Sequence, residues 1–351
     1  MESAANNQCE IEPNSKVAAE IATFINFSTD FHIFDTKWLP TFPVKFVTVG
    51  ATSKSSSKGF IQISEINDGK LAVERTLERQ SAFRCATFDA TVRNTSLSLG
   101  NFHGQLQIFD IEKCGFPIFD EKAHDGVVNC LDGIGSGNGS EIVTGGQDGC
   151  INVWDPRQGG PVVSIAGVRK ESGGNGSRDC WTVTFGDGSN QDDRIVCAGY
   201  DNGDIKVIDL KNLNEKWSCN VGSGVCKISC DRKSTETNRL IAGTVDGKIH
   251  LFDTKNYQLE PDNALRVSES SSVWSVNYLP QNDQIFASVG DSVKIWRHSD
   301  SSQEKESPDL LAQLELSSAG VNCFDWNPDF SGLGLCGSFD QHIRLLITCG
   351  L

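Results

Sequence analysis

One short pattern recurs seven times along the 351-residue chain, and it limits the possible folds more than any other feature. A run of small and β-branched residues leads into a short Asp/Asn/Gly turn, after which apolar and polar residues alternate. Clear copies are EIVTGGQDGCINVWD (Glu141 to Asp155) and RIVCAGYDNGDIKVID (Arg194 to Asp209). The last core positions of the copies lie 44 to 54 residues apart, at Ser64, Phe109, Trp154, Ile208, Phe252, Trp296 and Leu346. A regular period of this length indicates a repeat architecture.

Each copy predicts a β-hairpin. Glycine and Asn/Asp supply the positive φ angles of a tight turn, and alternation with a period of two buries one face of a strand. Another apolar run precedes each hairpin, as in AFRCATFD, and a more polar strand follows most of them, as in LAVERTLER. Four strands per period, repeated seven times, predict an all-β fold, a seven-bladed β-propeller whose third strands end near the seven positions above.

The two ends of the chain predict how the ring closes. The last copy stops at Leu351, directly after its third strand, so its outer strand is missing. The apolar run KVAAEIATFI, residues 16–25, precedes the first copy and has no other partner. We expect it to complete the last blade, which would leave no open sheet edge. The propeller would then span residues 16–351, after a disordered tail at residues 1–15.

The third copy contains the dipeptide Trp154-Asp155, and the chain resembles the WD-repeat family over essentially its whole length. The resemblance implies a structural tetrad in which four side chains of one blade form hydrogen bonds. The matching residues here are His124, Thr144, Asp148 and Trp154. The other copies lack the histidine, and only Trp296 repeats the tryptophan. Apolar packing is therefore expected to stabilise six of the seven blades.

Several stretches narrow the resemblance within that family, among them RDCWTVTFG, DRIVCAGYDNGDIKVIDL, VWDPRQ and SSVWSVNYLPQN. They are similar to the branch of single-propeller WD-repeat proteins linked to cytoplasmic assembly of axonemal dynein. That resemblance implies a co-chaperone adaptor for dynein heavy chains that works with the RuvB-like ATPase and prefoldin-like complex, and a link to apoptosis. The alternatives are a WD-repeat adaptor of another machine, such as a ubiquitin-ligase substrate receptor or a chromatin reader, and a propeller hydrolase or lyase with a metal in its channel.

Composition excludes some classes of partner. Lys and Arg number 31 against 46 Asp and Glu, which gives a net charge of −15 without a basic cluster. Nucleic-acid binding needs a basic surface, so neither DNA nor an anionic membrane is expected as a partner. The 13 cysteines form no CxxC pair and several lie in apolar strands, where a thiol behaves as a small hydrophobe. With no signal peptide expected, these features favour a reducing, cytoplasmic location.

The sequence offers no convincing catalytic or metal site. GYDNGDIKVID resembles the start of a calcium loop, but position six is Lys206 and position twelve is Asn212, where glycine and glutamate are required. The glycine-rich run 133–140 lacks the ending of a phosphate-binding loop. The six histidines have no zinc-ligand spacing, and no nucleophile elbow occurs. We therefore expect a non-enzymatic protein without metal or cofactor, an interaction scaffold that is monomeric within a larger complex.

The resemblance also predicts where a protein partner would bind. Two positions per blade ring the channel mouth in WD-repeat proteins. The first set is Phe34, Arg84, Asn129, Trp181, Cys226, Trp274 and Asn322, and the second is Phe102, Gln147, Tyr200, Val245, Val289 and Phe339. The partner-binding candidates are the aromatic residues and arginine among them, types enriched in interface hot spots: Phe34, Arg84, Phe102, Trp181, Tyr200, Trp274 and Phe339. Trp181 and Trp274 also alternate with core residues, so packing between blades is an alternative for both.

Overall fold

The computed structural model describes residues 19–39, 44–52, 58–88, 96–113, 115–136, 139–167, 178–186, 194–232, 236–254, 265–268, 271–298 and 307–351. Within these ranges the chain forms 28 β-strands and no α-helix. The strands make seven antiparallel four-stranded sheets, which are the seven blades of a β-propeller. None of the described segments is a helix long and apolar enough to cross a membrane.

The chain enters the fold through β1 (Glu20–Ser28) and then builds the blades in sequence order. Blade 1 consists of β2 (His32–Trp38), β3 (Lys45–Ala51), β4 (Gly59–Asn67) and β5 (Lys70–Arg79). Blade 2 consists of β6 (Phe83–Thr87), β7 (Ser96–Asn101), β8 (Gln105–Asp110) and β9 (Phe119–Lys122). Blade 3 consists of β10 (Val128–Ser136), β11 (Gly139–Gly146), β12 (Ile151–Trp154) and β13 (Pro161–Ile165). Blade 4 consists of β14 (Cys180–Gly186), β15 (Ile195–Tyr200), β16 (Asp204–Asp209) and β17 (Glu215–Asn220).

The second half of the ring repeats this arrangement. Blade 5 consists of β18 (Val225–Cys230), β19 (Arg239–Thr244), β20 (Lys248–Asp253) and β21 (Leu265–Ser268). Blade 6 consists of β22 (Ser275–Leu279), β23 (Asn282–Val289), β24 (Ser292–Arg297) and β25 (Asp309–Glu315). Blade 7 consists of β26 (Val321–Trp326), β27 (Leu333–Ser338), β28 (His342–Cys349) and the chain's first strand, β1.

Tight turns between the second and third strands follow the chemistry of the repeat. Gly149 in blade 3 and Gly203 in blade 4 have φ angles of 75° and 92°, which a residue with a Cβ rarely adopts. In blade 7 the residue with positive φ is Gln341, at 64°. Third-strand residues such as Ile205 and Val207 then alternate into the core, as the pattern predicts.

The hydrophobic core lies between the blades. In the described part of the chain, seven clusters of buried apolar side chains are found, one between each pair of neighbouring blades. Between blades 3 and 4, for example, Val143 and Val153 pack with Val183 and Phe185. Each such side chain contributes about 1.5–3 kcal/mol when it is fully buried, so the stability of the ring comes mainly from contacts between blades.

Blade 7 is completed by the start of the chain. Strand β1 pairs antiparallel with β28, from Glu20 opposite Cys349 to Ser28 opposite His342. The strand thus begins within the expected 16–25 segment but continues to Ser28, because its last residues still find partners on β28. Residues 1–18, which include the expected disordered tail, lie outside the described part of the chain.

Candidate protein-interaction site

The innermost strand of every blade borders a central channel with a volume of about 1180 Å³. The channel mouth lies where these strands begin. All seven residues of the first predicted set line the channel: Phe34, Arg84, Asn129, Trp181, Cys226, Trp274 and Asn322. From the second set Phe102 and Phe339 line it, whereas Gln147, Tyr200, Val245 and Val289 do not.

A β-bulge explains why the first set points into the channel. In six of the described inner strands the pairing with the next strand skips one residue, and that residue is the member of the first set: Phe34, Arg84, Asn129, Trp181, Cys226 and Asn322. A bulge leaves its extra residue unpaired and re-aims the side chain. In blade 6, Trp274 has an equivalent position, because its N–H donates to Val289 O (2.9 Å) while Ser275 lies opposite Val289.

The bulge also resolves the two possible positions of Trp181. Its alternation with Val183 and Phe185 is typical of a core residue, but the extra residue resets the alternation, so that those two are buried while Trp181 lines the channel. The indole nevertheless remains half-buried and covers Gly224 of the next blade. A Cβ at Gly224 would lie only 2.7 Å from the ring, so the close approach requires glycine.

Two aromatic pairs form the apolar surface of the mouth. Trp274 and Phe339, from blades 6 and 7, are 40% and 48% exposed, and their rings lie 5.7 Å apart, edge to face. Phe34 and Phe102, from blades 1 and 2, are partly buried, with ring centroids 5.3 Å apart. The Arg84 guanidinium lies over the Phe34 ring at 5.8 Å. Aromatic and arginine side chains that stay accessible on a rigid frame are suited to protein recognition.

The prediction that Tyr200 is exposed at the mouth is wrong. Tyr200 is 2% exposed and belongs to the core cluster between blades 3 and 4. It pairs with Cys180 at the end of β15, before the bulge, so its side chain follows the regular alternation into the space between blades. Burial raises the pKa of its hydroxyl far above the ordinary value. The register thus places Tyr200 where blade 7 has Ser338, and Asp201 where blade 7 has Phe339.

Other polar residues of the channel wall join neighbouring blades. Asn129 Nδ2 donates to Cys180 O (3.1 Å), and Asn322 Nδ2 donates to Ile33 O (2.7 Å). These two members of the first set therefore have a structural role. The amide groups hold the inner strands of adjacent blades together.

Three channel aspartates, which the sequence analysis did not identify, have a similar structural role. Asp35, Asp132 and Asp325 accept backbone N–H groups of the next inner strand, at 3.0, 2.9 and 3.0 Å. The only sequence signal for them is an aspartate within an otherwise apolar inner strand. Their engagement with backbone donors favours a structural role over acid–base chemistry.

The four predicted tetrad residues are linked by hydrogen bonds in blade 3. Asp148 Oδ1 accepts His124 Nδ1–H at 2.9 Å, His124 Nε2 lies 2.8 Å from Thr144 Oγ1, and Trp154 Nε1 donates to that hydroxyl at 3.0 Å. The backbone N–H of Asp125 also donates to Asp148. Burial raises the pKa of Asp148, but these hydrogen bonds outweigh it, so the pKa stands below its ordinary value.

Blade 7 holds its turn with a different side chain, and blade 6 keeps one hydrogen bond of the tetrad; of the residues involved, only Trp296 was recognised from the sequence. In blade 7, buried Arg344 donates to Ser338 Oγ (2.7 Å) and to both oxygens of Asp340 (3.2 and 2.7 Å). In blade 6, Trp296 Nε1 donates to Ser288 Oγ at 2.9 Å. Apolar packing is therefore supplemented by polar anchors in these blades, and a search for the histidine alone cannot find them.

The acidic turn of blade 4 is organised by its own amide groups. Asp204 accepts hydrogen bonds from Asn202 Nδ2 (2.7 Å) and Asn220 Nδ2 (2.6 Å), so the side chains brace a hairpin. Across the residues that the structure describes, no group of three or more His, Cys, Asp or Glu is placed to hold a metal ion. The cysteines in those ranges are free thiols, and burial raises the pKa of several, including Cys336.

Seven four-stranded blades and a hydrogen-bonded tetrad define a WD-repeat β-propeller. The family model for the WD domain, G-beta repeat, matches residues 115–155 and 309–345. Proteins named dynein axonemal assembly factor 10 are similar over nearly the whole chain. Those of Bos taurus and Homo sapiens are each 39% identical, and that of Xenopus laevis is 37% identical. In all three comparisons the match covers 95% of this chain and 97% of the relative. The chain belongs to the dynein axonemal assembly factor 10 family.

Proposed function

We propose that the protein is a non-catalytic scaffold for assembly of axonemal dynein in the cytoplasm. The observation that carries this proposal is the full-length similarity to relatives named for that role, since 95% of the chain aligns with 97% of the relative. We further propose that its partners are dynein heavy chains and subunits of a RuvB-like ATPase and prefoldin-like co-chaperone complex. The protein would hold these partners together without changing them chemically.

The channel mouth is the proposed surface for a partner. It combines two accessible aromatic pairs with an exposed arginine, and the blades behind it form a frame held by cores between every two neighbours. The channel aspartates Asp35, Asp132 and Asp325 already bind backbone N–H groups, which supports a scaffold rather than a hydrolase or lyase. A rigid frame lowers the entropy that is lost when a partner binds.

Affinity capture from ciliated cells followed by mass spectrometry tests this proposal. The wild-type chain should retain dynein heavy chains with RuvB-like and prefoldin-like subunits, and the double variant Trp274→Ala/Phe339→Ala should retain much less. Phe330→Ala is the matched control, because Phe330 is 49% exposed but lies in the β26–β27 loop, at the far end of the inner strand. Capture of cullin-adaptor subunits in place of dynein would favour the ubiquitin-ligase alternative.

A further inference from the structure

Arg84 is a cation without a carboxylate partner in the channel mouth. Among the described residues it forms no ion pair, although the chain has 46 acidic residues against 31 basic ones. Its guanidinium lies over the Phe34 ring. It is the extra residue of the bulge on β6, so the backbone itself directs the side chain into the channel. In so acidic a protein, an exposed and unpaired arginine at this position is available to an external anion.

The positive charge of Arg84 acts on Cys226, which lies in a different blade. Burial, the larger effect, raises the pKa of Cys226 to about 12, while the positive charge of Arg84 acts in the opposite direction. Cys226 belongs to blade 5, on the other side of the channel from blade 2. The nearby carboxylate of Asp35 is engaged by the backbone N–H of Ala86 and by Lys37, at 3.0 and 3.5 Å. The channel wall also contains the charged residues Asp132, Asp231, Asp283, Asp325, Lys227 and Arg232. None of these carboxylates forms an ion pair with the Arg84 guanidinium, which is left without a direct counter-ion among the described residues.

The chemistry of the mouth defines the ligand that fits it. The two aromatic pairs, from blades 1 and 2 and from blades 6 and 7, offer apolar contact, and Arg84 offers donors for a carboxylate. A cationic side chain would meet repulsion from Arg84, which disfavours use of the aromatic residues as a cage for a methylated lysine. A segment that carries both an apolar side chain and a carboxylate would complement the aromatic rings and Arg84.

The geometry points to an acidic peptide segment of a protein partner, in which a large apolar or aromatic side chain stands beside Asp or Glu. The apolar side chain packs against the aromatic pairs, and the neighbouring carboxylate pairs with Arg84. This inference rests on the proposed function, since it specifies which part of a partner protein enters the mouth. It adds the requirement for a carboxylate beside the apolar side chain, which the proposed assembly role alone does not include.

Selection from a displayed library of short random peptides against the purified full chain tests the inference. Recovered peptides should be enriched in Asp or Glu next to Phe, Trp or Leu. A synthetic copy of a recovered peptide, acetylated and amidated at its ends, should bind Arg84→Gln at least about tenfold more weakly than wild type, because a charged hydrogen bond is lost. Added salt should weaken binding to the wild type more than to Arg84→Gln.

Arg79→Gln is the matched control, because Arg79 also lies over a phenylalanine ring, that of Phe109, at 5.3 Å, but does not line the channel. It should bind the peptide like wild type, and both variants should keep the wild-type thermal midpoint. Selection of basic peptides, a need for phosphorylation or for a free carboxyl terminus, or equal binding by Arg84→Gln would overturn the inference. If Arg84→Gln binds the peptide normally while Trp274→Ala/Phe339→Ala loses dynein capture, the inference fails and the proposed function stands.

Discussion

Blades 3 and 7 hold the same turn by different chemistry. In blade 3, Asp148 is held by His124, which comes from the loop before the inner strand and continues the chain of hydrogen bonds to Trp154 through Thr144. In blade 7, Asp340 is held by Arg344, whose guanidinium comes from the third strand of the same blade. One anchor is a polar relay that ends on an indole, and the other is a largely buried ion pair.

The comparison shows that the blades require an anchored turn. Both blades attach the aspartate of the turn to a side chain that is itself buried, since His124 and Arg344 are both inaccessible to solvent. The anchored turn is thus common to both blades, whereas the identity of the anchor is not. This explains how blade 7 forms a sheet like that of blade 3 without the tetrad histidine.

Among the turn anchors, the largest expected effect comes from removing the aspartate of blade 7. Asp340→Ala leaves the buried Arg344 guanidinium with Ser338 but without its counter-ion. Breaking a buried ion pair from one side costs about 3–5 kcal/mol, because the remaining charge is uncompensated. Because the Asp340 side chain is 26% exposed, we expect the free energy of unfolding in urea to fall by about 3 kcal/mol, the lower end of that range.

A double variant tests the reason for the loss. In Asp340→Ala/Arg344→Met the buried charge is absent, so most of the lost stability should return, since apolar replacement of both partners is often nearly neutral. If the double variant is as unstable as Asp340→Ala, the ion pair is not the cause and the comparison between the two anchors fails.

An intermediate effect is expected from Thr144→Val in blade 3. The variant keeps the shape of the side chain but leaves Trp154 Nε1 and His124 Nε2 without their hydroxyl partner. A buried polar group left unpaired costs about 1–3 kcal/mol. Ser288→Ala in blade 6 removes the hydroxyl that accepts Trp296 Nε1–H and should cost less, because the sequence before the inner strand of blade 6 has no tetrad histidine. Equal losses in chemical denaturation would show that the relay to His124 adds nothing.

The fold could be predicted from the sequence because a period of 44 to 54 residues survives even where single residues change. The first set of mouth residues followed from the resemblance to WD-repeat proteins, and these residues line the channel because the bulge recurs at a fixed place in the repeat. The burial of Tyr200 could not be predicted, because its pairing with Cys180 places it one residue earlier in the register than Phe339, and the sequence alone does not reveal that shift. The ion pair of Arg344 and Asp340 could not be predicted either, because an arginine is not one of the tetrad residues. Only the folded hairpin brings the two side chains together.

A smaller effect is expected from the pH dependence of Asp155 in blade 3. Hydrogen bonds from Arg157 lower the pKa of its carboxyl from 3.8 to about 2. Because the pKa is lower in the folded state, the stabilisation is complete above 3.8 and is lost as the pH falls towards about 2. Arg157 is 66% exposed, so solvent screening limits the gain to about 1 kcal/mol. Unfolding free energies measured across this range should fall less steeply for Asp155→Asn than for wild type, and parallel profiles would contradict the assignment.

The smallest effect on stability is expected from Phe339 at the mouth, and Tyr200 provides the contrast. Tyr200 pairs with the residue before the bulge of its blade, as Ser338 does in blade 7, whereas Phe339 comes one residue later; Phe339 is exposed and Tyr200 is buried. Phe339→Ala should change the free energy of unfolding by no more than about 0.5 kcal/mol, as is usual for surface substitutions. Tyr200→Ala should cost about 3–5 kcal/mol, because it opens a cavity between blades 3 and 4. Only Phe339→Ala should weaken partner binding while the fold stays intact. Similar losses of stability for both variants would mean that Phe339 belongs to the core and not to a recognition surface.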